Sequence, residues 1–252
     1  MISELKQWQR RTVHRSGKRF LHAITEFQAR HSLIPSSPFL DNTTFDWVPK
    51  LENSSGACRE EFDRVWRRPE DIPAFHQISP DQARISTGTS WKTYALYIFG
   101  QRVEQNCREC SRTAAALADI PGLVNAWYSI LAPGYHIPPH RGPTRALVRC
   151  HLGLRVPADA ESCWIRVDEQ TTHWREGQVM LFDDTYEHEV LNDTDEYRAV
   201  LFIDVERPMD RVGRHFNRAV LRLMEGTHYV KDPIRNLAEW NDRLRSERAL
   251  ER

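Results

Sequence analysis

The feature that most restricts the fold of this chain is a series of short apolar segments between residues 91 and 205. Turn residues such as LAPG, PADAES, REGQ and NDTDE separate them. The segments are WKTYALYIFG from residue 91, AWYSIL at 126–131, ALVRCHLGLRV at 146–156, CWIRV at 163–167, QVMLF at 178–182 and YRAVLFIDV at 197–205. Strands this short and closely spaced favour an antiparallel sandwich or barrel over alternating β-α-β units. We therefore predict a mainly β fold with flanking α-helices, a double-stranded β-helix of the jelly-roll, cupin-like type.

Helical patterns flank the strand region on both sides. Residues 3–31 contain no proline and repeat apolar side chains at helical spacing, and the linker SLIPSSPFLDN follows at 32–42. After Pro208 the helical pattern returns, with Val212, Phe216 and Leu223 opposite a row of arginines, and a charged helix is expected over 235–250. The predicted parts are an N-terminal basic amphipathic segment with linker at 1–42, a jelly-roll domain at 43–208 and a C-terminal helical extension at 209–252.

Charge is balanced overall but unevenly distributed. Residues 1–30 hold seven Lys or Arg against two acids, and residues 207–222 hold five Arg against one Asp. Basic amphipathic helices bind anionic membrane surfaces, where each nearby Lys or Arg contributes about 1 kcal/mol. The alternative is that both helices pack their apolar sides on the β domain and leave solvated arginines outside.

Location and partners follow from what the sequence lacks. No apolar run is long enough to span a membrane, and the first residues have no apolar centre typical of a secretion signal. We expect a cytoplasmic protein, peripheral at the inner face of the membrane if the basic helices bind lipid. The tryptophans are not interleaved with lysines as a base-stacking surface would require, so no nucleic-acid partner is expected.

The five cysteines are an odd number and do not form a disulfide framework. Cys107 and Cys110 have the spacing of half a zinc site, but no second such pair completes it. Loop thiols are the preferred interpretation of this pair.

Three polar residues stand at or beside strand ends: His140, His188 and Arg198. Imidazoles from neighbouring strands can converge on Fe, Zn, Cu or Ni. A buried guanidinium needs an anion, and its planar fork suits a carboxylate. The set predicts a metal beside a carboxylate ligand such as 2-oxoglutarate. In the alternative, His140 lies in a solvent loop, His188 caps a turn, and Arg198 pairs with Glu189 or Asp204.

Longer motifs give a more specific indication. The segments HRGPTRALVRCHLGL, WREGQVMLFDDTYEHEV and YRAVLFIDVERP resemble, in order and spacing, the aspartyl/asparaginyl β-hydroxylase family of Fe(II)- and 2-oxoglutarate-dependent oxygenases. The resemblance spans about Trp91 to Pro208. It implies an enzyme that uses Fe(II), 2-oxoglutarate as co-substrate and O2 to hydroxylate an unactivated C–H bond.

The resemblance also assigns residues to the metal and the co-substrate. His140 and His188 match the iron-binding histidines, and Arg198 matches the arginine that pairs with the distal carboxylate of 2-oxoglutarate. Further co-substrate contacts are implied for Ser129, His151 and Trp91.

On the substrate side the resemblance is less complete. Arg149 matches an arginine that faces the substrate carboxylate in peptide-hydroxylating members. Arg145 stands where those members have Asn in the GPTN segment. This difference puts a peptide substrate in doubt, and both arginines are candidate substrate contacts.

Gly142 occupies the place where a carboxylate ligand would complete a two-histidine, one-carboxylate site. The resemblance implies that this position is vacant in the family. An acid outside the ligand set could hold a water there, with Asp183 and Asp184 as candidates, although a turn role is the preferred interpretation of both. A vacant position also admits chloride in 2-oxoglutarate halogenases, but the surrounding motifs follow the hydroxylases.

Three function classes stay open at this point. The preferred one is hydroxylation of an acyl chain of a membrane lipid of the lipid A or ornithine-lipid type, which the family includes and which the basic helices favour. The second is β-hydroxylation of an Asp or Asn side chain in a peptide or free amino acid. The third is a non-enzymatic β-sandwich that binds a membrane surface.

Overall fold

The computed structural model describes residues 19–159 and 161–250, and their strands form two antiparallel sheets. The larger sheet has the order β1-β9-β6-β11-β4-β2-β3 and the smaller one the order β5-β10-β7-β8. Their bounds are β1 Phe39–Leu40, β2 Trp91–Ile98, β3 Gln101–Arg102, β4 Leu123–Leu131, β5 Tyr135–His140, β6 Leu147–Arg155, β7 Cys163–Val167, β8 Gln170–Thr172, β9 Val179–Phe182, β10 His188–Asn192 and β11 Arg198–Glu206. The predicted mainly β architecture is confirmed.

The two faces of the larger sheet pack against different parts of the molecule. Successive side chains of a strand point to opposite faces. On β11, Ala199, Leu201 and Ile203 belong to a core cluster shared with helices on the outer face, whereas Val200 packs with residues of the smaller sheet. Arg198, Phe202 and the other residues in register with Val200 therefore face the interior between the sheets, which is where polar groups of a buried site must lie.

Helices surround the sheets. The first covers at least residues 19–30 and is called α1. The others are α2 Val48–Asn53, α3 Ser55–Val65, α4 Phe75–Ile78, α5 Glu104–Glu109, α6 Ser111–Ala118, α7 Arg211–Glu225 and α8 His228–Leu250. Helices α2, α3 and α6 cover the outer face of the larger sheet, and Leu237 of α8 packs with Ile78 and Ile98. None of the described helices is long and apolar enough to cross a membrane.

The predicted strands all occur, with ends within a few residues of those expected. The sequence did not predict the short strands β1, β3 and β8. It also did not predict β5 and β10, each of which carries one histidine of the site at an end. Helices α2, α4, α5 and α6 were not predicted either. The predicted helix over 3–31 lies partly outside the described residues.

The α1 and α7 helices pack against each other. Phe27 and Phe216 have ring centroids 4.3 Å apart, and Gln28 Nε2 donates to Asn217 Oδ1 at 2.9 Å. Residue 213 must be small, because a Cβ there would overlap the His31 side chain. Because of these contacts, the polar residue Asn217 lies on the buried side of α7. The predicted apolar side is therefore only partly buried, and Val212 and Leu223 stay exposed.

The cysteine interpretation needs correction. All five cysteines are free and buried, so Cys107 and Cys110 are not loop thiols. Cys107 Sγ donates to the Leu96 carbonyl, and burial raises the pKa of the Cys110 thiol to about 12. Both are core-packing groups between α5, α6 and the larger sheet.

Candidate active site

Two histidines meet across the smaller sheet. His140 at the end of β5 and His188 at the start of β10 are direct register partners, and their ring centroids lie 4.1 Å apart. His188 is 3% exposed and His140 is half-buried. The sequence placed these two residues 48 positions apart, and the antiparallel pairing brings them together.

The tautomer of both histidines is fixed by the backbone. His140 Nδ1 lies 2.8 Å from the Pro138 carbonyl oxygen, and His188 Nδ1 lies 3.0 Å from that of Tyr186. A carbonyl only accepts, so each Nδ1 carries the proton and each Nε2 keeps a free lone pair. Burial lowers the pKa of His140 to about 4 and that of His188 well below its ordinary value. Two neutral imidazoles oriented by their other nitrogen fit the donor set of a metal.

Arg198 is a buried guanidinium without a carboxylate partner among the described residues. Its side chain is among the largest that are fully buried, and it forms no ion pair with any residue that the structure describes. Its guanidinium carbon lies 4.5 Å from the Trp174 ring centroid, and its Nε has no hydrogen-bond partner. Burial lowers the pKa of Arg198 to about 10. An uncompensated buried guanidinium is costly and indicates that an anion binds here.

Neither carboxylate considered as a partner for Arg198 pairs with it. Glu189 accepts from Arg166 at 2.6 Å, and Asp204 accepts from Arg149 at 3.0 Å. The alternative reading of Arg198 as half of an internal ion pair is therefore wrong.

A second orphaned donor lies beside Arg198. Trp174 Nε1 donates to His151 Nδ1 at 3.2 Å, and an indole N–H only donates. His151 is fully buried and its pKa is lowered well below the ordinary value, first by burial and then by Arg198 and Arg149. The neutral ring therefore carries its proton on Nε2, which has no partner. Both His151 and Arg198 thus present free N–H groups to the same interior.

Ser129 and Trp91 complete this end of the site. Trp91 Nε1 donates to Ser129 Oγ at 3.0 Å, which leaves the serine hydroxyl hydrogen free to donate elsewhere. Ser129 on β4 is in register with Val200 on β11, so it lies on the interior face with Arg198. The residues expected to contact the co-substrate, namely Trp91, Ser129, His151 and Arg198, are brought together on adjoining strands.

Arg149 is also largely buried, but its charge is matched. Its guanidinium contacts Asp184 Oδ2 at 2.9 Å and Asp204 Oδ1 at 3.0 Å, and its carbon lies 4.4 Å from the Phe202 ring centroid. Burial acts to lower the pKa of Arg149, and the two carboxylates outweigh it and raise the pKa above its ordinary value. Asp204 also accepts from Asn125 Nδ2 at 3.0 Å. Arg149 therefore has no need of an external anion.

The glycine at position 142 is explained by Asp184. A Cβ at Gly142 would overlap the Asp184 carboxylate, and the Gly142 N–H donates to the Asp184 carbonyl at 2.7 Å. The carboxylate of Asp184 thus fills the space that a side chain at 142 would take. Burial raises the pKa of Asp184 to about 6.

Asp183 has a different role from its neighbour. It accepts from the Thr185 backbone N–H and hydroxyl, as a turn aspartate does, and pairs with the fully buried Arg207. Arg145 Nε also donates to Asp183, at 3.0 Å, and the Arg145 guanidinium lies over the Tyr186 ring. Arg145 does not line the cavity described next, and its role as a substrate contact stays a prediction.

A cavity of about 340 Å³ begins at His140 and is walled mainly by apolar side chains. Arg149, Asp184 and Asp204 line it close to the histidine, and the walls farther away come from α4, β2, β4, α7 and α8. The apolar walls include Phe75, Ile98, Trp127, Phe202, Leu221 and Tyr229. Residues after position 208, which carry none of the sequence motifs, thus form part of the same chamber.

The chemistry of the donor set can be tested against iron. No cluster of three metal-ligating side chains occurs in the parts of the chain that the structure describes, so a metal here would have two protein ligands. The free Nε2 atoms of His140 and His188 and the orphaned donors of His151 and Arg198 fit a metal with a bound dicarboxylate.

Sequence reasoning missed two residues of the site. Trp174 orients His151 and covers Arg198, and Asp204 was considered only as a partner of Arg198. The position of Trp174 just before the REGQ turn carries no sign of these contacts.

Comparison with known proteins identifies a family for this chain. Residues 52–208 match the aspartyl/asparaginyl beta-hydroxylase family. The chain belongs to this family. The earlier resemblance is confirmed, and the relatives found are hydroxylases. A Rhizobium tropici ornithine lipid ester-linked acyl 2-hydroxylase is 41% identical over 218 residues, which are 86% of this chain and 78% of that protein.

Human aspartyl/asparaginyl beta-hydroxylase is 32% identical over 173 residues, 64% of this chain but 22% of the human protein. The chain thus spans less than a quarter of the human relative's length. Among solved structures, a Pseudomonas putida prolyl-4-hydroxylase aligns with a TM-score of 0.39 and 18% identity, over 74% of this chain and 98% of that one.

Proposed function

We propose that this hydroxylase is an Fe(II)- and 2-oxoglutarate-dependent dioxygenase that hydroxylates an acyl chain of a membrane lipid of the ornithine-lipid type. The observation that carries the proposal is the mainly apolar cavity that starts at His140, in which the buried charges of Arg149, Asp184 and Asp204 pair with one another. A hydrocarbon chain can occupy such a space without leaving a buried ion unpaired.

The co-substrate side of the proposal rests on the orphaned donors. Arg198 would hold the distal carboxylate of 2-oxoglutarate through a charge-assisted contact, with Ser129 and the Nε2–H of His151 as further donors. Trp91 fixes Ser129, and Trp174 fixes His151. The chain thus holds each of these donors in place before any ligand binds.

The metal side rests on the two oriented imidazoles. His140 and His188 would hold Fe(II), which with 2-oxoglutarate and O2 would supply the chemistry that inserts one oxygen atom into a C–H bond and releases succinate and CO2. The backbone carbonyls of Pro138 and Tyr186 keep both Nε2 atoms directed away from their own loops. The apolar walls keep bulk water away from the reacting carbon.

The alternative substrate is an Asp or Asn side chain, as the name of the human relative suggests. In that reading Arg149 would hold the substrate carboxylate. Here Asp184 and Asp204 already occupy its guanidinium, so a third carboxylate would meet two negative charges. The charge arrangement and the longer, more similar match to the lipid hydroxylase both favour the acyl chain.

The test is reconstitution of the full chain with Fe(II) under anaerobic conditions, followed by 2-oxoglutarate and ¹⁸O2. Ornithine lipids and Asp or Asn peptides are supplied separately. We expect succinate release and a gain of one ¹⁸O atom in the acyl chain of the lipid only. Incorporation into the peptides alone would overturn the substrate, and absence of succinate with either would overturn the reaction.

The chain offers a matched control for the metal ligands. His136 lies on the same strand as His140, but it is exposed and pairs with Glu189 at 2.8 Å. We expect His140→Ala to abolish turnover and iron binding, and His136→Ala to keep both.

A further inference from the structure

Four arginines form one row on α7: Arg211, Arg214, Arg218 and Arg222. Residues three, four and four positions apart lie on one side of a helix. All four are exposed, and none pairs with a carboxylate among the residues that the structure describes. Four unmatched cations in one row form a strongly positive surface even though the chain has no net charge.

Exposed apolar side chains lie beside this row. Val212 is 59% exposed and Leu223 is 74% exposed, and the eleven-residue interval between them returns to nearly the same helical angle. Ala219, also exposed, stands between them on that stripe. The arginine row together with Val212, Ala219 and Leu223 is called the α7 outer face.

The α7 outer face is not needed for packing. The buried residues of the helix are Gly213, Asn217, Val220 and Leu221, which lie on the other side. Asn217 donates to the Ala146 carbonyl at 3.1 Å and accepts from Gln28, so α7 is already anchored to the sheet and to α1. These contacts anchor α7 through its packed side. The arginines and apolar residues of the outer face take no part in this packing.

We propose that the α7 outer face binds the surface of an anionic lipid bilayer. Interfacial helices place arginines at the lipid head groups and apolar side chains in the boundary below them, and the α7 outer face provides both. The chemistry of the partner follows from charge complementarity: four unmatched guanidinium groups call for phosphate-bearing lipids.

The position of this face connects it with the cavity. Leu221 and Met224 of the same helix line the cavity wall, and Met224 is half-buried beside the exposed Leu223. Docking through α7 would therefore place the cavity about one helix diameter, roughly 10 Å, from the lipid surface. This last step rests on the proposed function, whereas membrane binding itself does not.

Co-sedimentation of the full chain with vesicles tests the proposal without iron or co-substrate. The vesicles contain phosphatidylglycerol and phosphatidylcholine at physiological salt. We expect wild type to sediment and Arg211→Gln, Arg214→Gln, Arg218→Gln and Arg222→Gln together to weaken binding on the order of 1,000-fold. The matched control changes four exposed arginines elsewhere, Arg67, Arg68, Arg108 and Arg243, to Gln and should bind as wild type does.

A label tests the orientation. Because all five native cysteines are buried, Leu223→Cys can be modified alone with an environment-sensitive fluorophore. We expect its emission to shift to the blue when anionic vesicles are added, and the same label at Arg243→Cys on α8 to stay unchanged.

The outcomes separate the two proposals. Failure of wild type to bind anionic vesicles, equal loss in both quadruple variants, or an unshifted label at position 223 would each overturn membrane docking. Succinate release with a detergent-dispersed lipid would still be expected in the α7 variant, so docking can fail while the enzymatic function holds, and the reverse.

Discussion

The protein buries two arginines on neighbouring strands of one sheet and treats their charges in opposite ways. Arg149 on β6 lies between two carboxylates, whereas Arg198 on β11 meets an aromatic ring and no carboxylate among the described residues. The first is an ion pair network that the fold completes by itself. The second is a charge that the described residues of the fold leave unmatched. A buried charge therefore indicates ligand binding only after its internal partners have been sought.

The largest expected effect is on stability and concerns Arg149. Arg149→Met leaves Asp184 and Asp204 buried without a cation, which costs about 3–5 kcal/mol of unfolding free energy. Denaturant unfolding measures this. The triple variant with Asp184→Asn and Asp204→Asn should recover most of the loss. A wild-type stability for Arg149→Met would show that the carboxylates do not depend on it.

Arg198→Met sharpens the comparison because the same substitution should act in the opposite sense. It removes an uncompensated charge, so the stability of the ligand-free protein should stay unchanged or rise. Affinity for 2-oxoglutarate should fall by about 30-fold or more, as expected when one partner of a buried charge pair is lost.

Calorimetric titration of the manganese-loaded protein measures the affinity, and the thermal shift caused by the co-substrate gives a second measure. Arg198→Lys keeps the charge without the planar fork and should lie between the two. Undiminished affinity in Arg198→Met would contradict the assignment.

The sequence predicted those strands that show a clear local pattern of apolar residues. The apolar segment ALVRCHLGLRV predicted β6, and the family resemblance assigned Arg149 and His151 within it to the site. Strand β5 was not predicted because YHIPPH contains two prolines, which are uncommon within strands. Strand β10 was not predicted because HEVLN is short and charged. These two strands carry His140 and His188, the proposed metal ligands, so the histidines were identified by residue type and motif rather than by strand prediction.

The sequence could predict which residues form the candidate site, but it could not predict how their charges pair. Arg149 finds its carboxylates at positions 184 and 204, on other segments, and no periodicity links them. The same holds for α7, where Asn217 is buried because Gln28 and the Ala146 carbonyl bond to it. In both places, contacts between residues far apart in the sequence determine which side chains are buried, and the apolar pattern alone does not predict this.

A smaller effect is expected when only one carboxylate of Arg149 is neutralised. Asp204→Asn keeps the shape and leaves Asp184 as partner, so the loss should be about 1.5–3 kcal/mol, the range for a hydrogen bond to a charged group. Denaturant unfolding should place this variant between wild type and Arg149→Met. A loss equal to that of Arg149→Met would mean that Asp184 contributes nothing to the pairing.

The smallest effect concerns a residue beside the unmatched charge of Arg198. Trp174→Phe keeps a ring over Arg198 but removes the N–H that holds His151 Nδ1 as an acceptor. His151 can then place its proton on either nitrogen, and only one tautomer donates from Nε2. Losing one neutral hydrogen bond should weaken 2-oxoglutarate binding by about 1 kcal/mol, roughly fivefold.

Nitrogen-15 NMR of the histidine ring and titration of the co-substrate check the two parts of this expectation separately. If the tautomer becomes mixed while the affinity stays constant, His151 does not contact the ligand, and Arg198 and Ser129 hold the carboxylates without it. If the tautomer stays fixed, burial beside Arg198 is sufficient to orient the ring. The uncompensated arginine would then determine the proton position on its neighbour as well as the charge of the ligand.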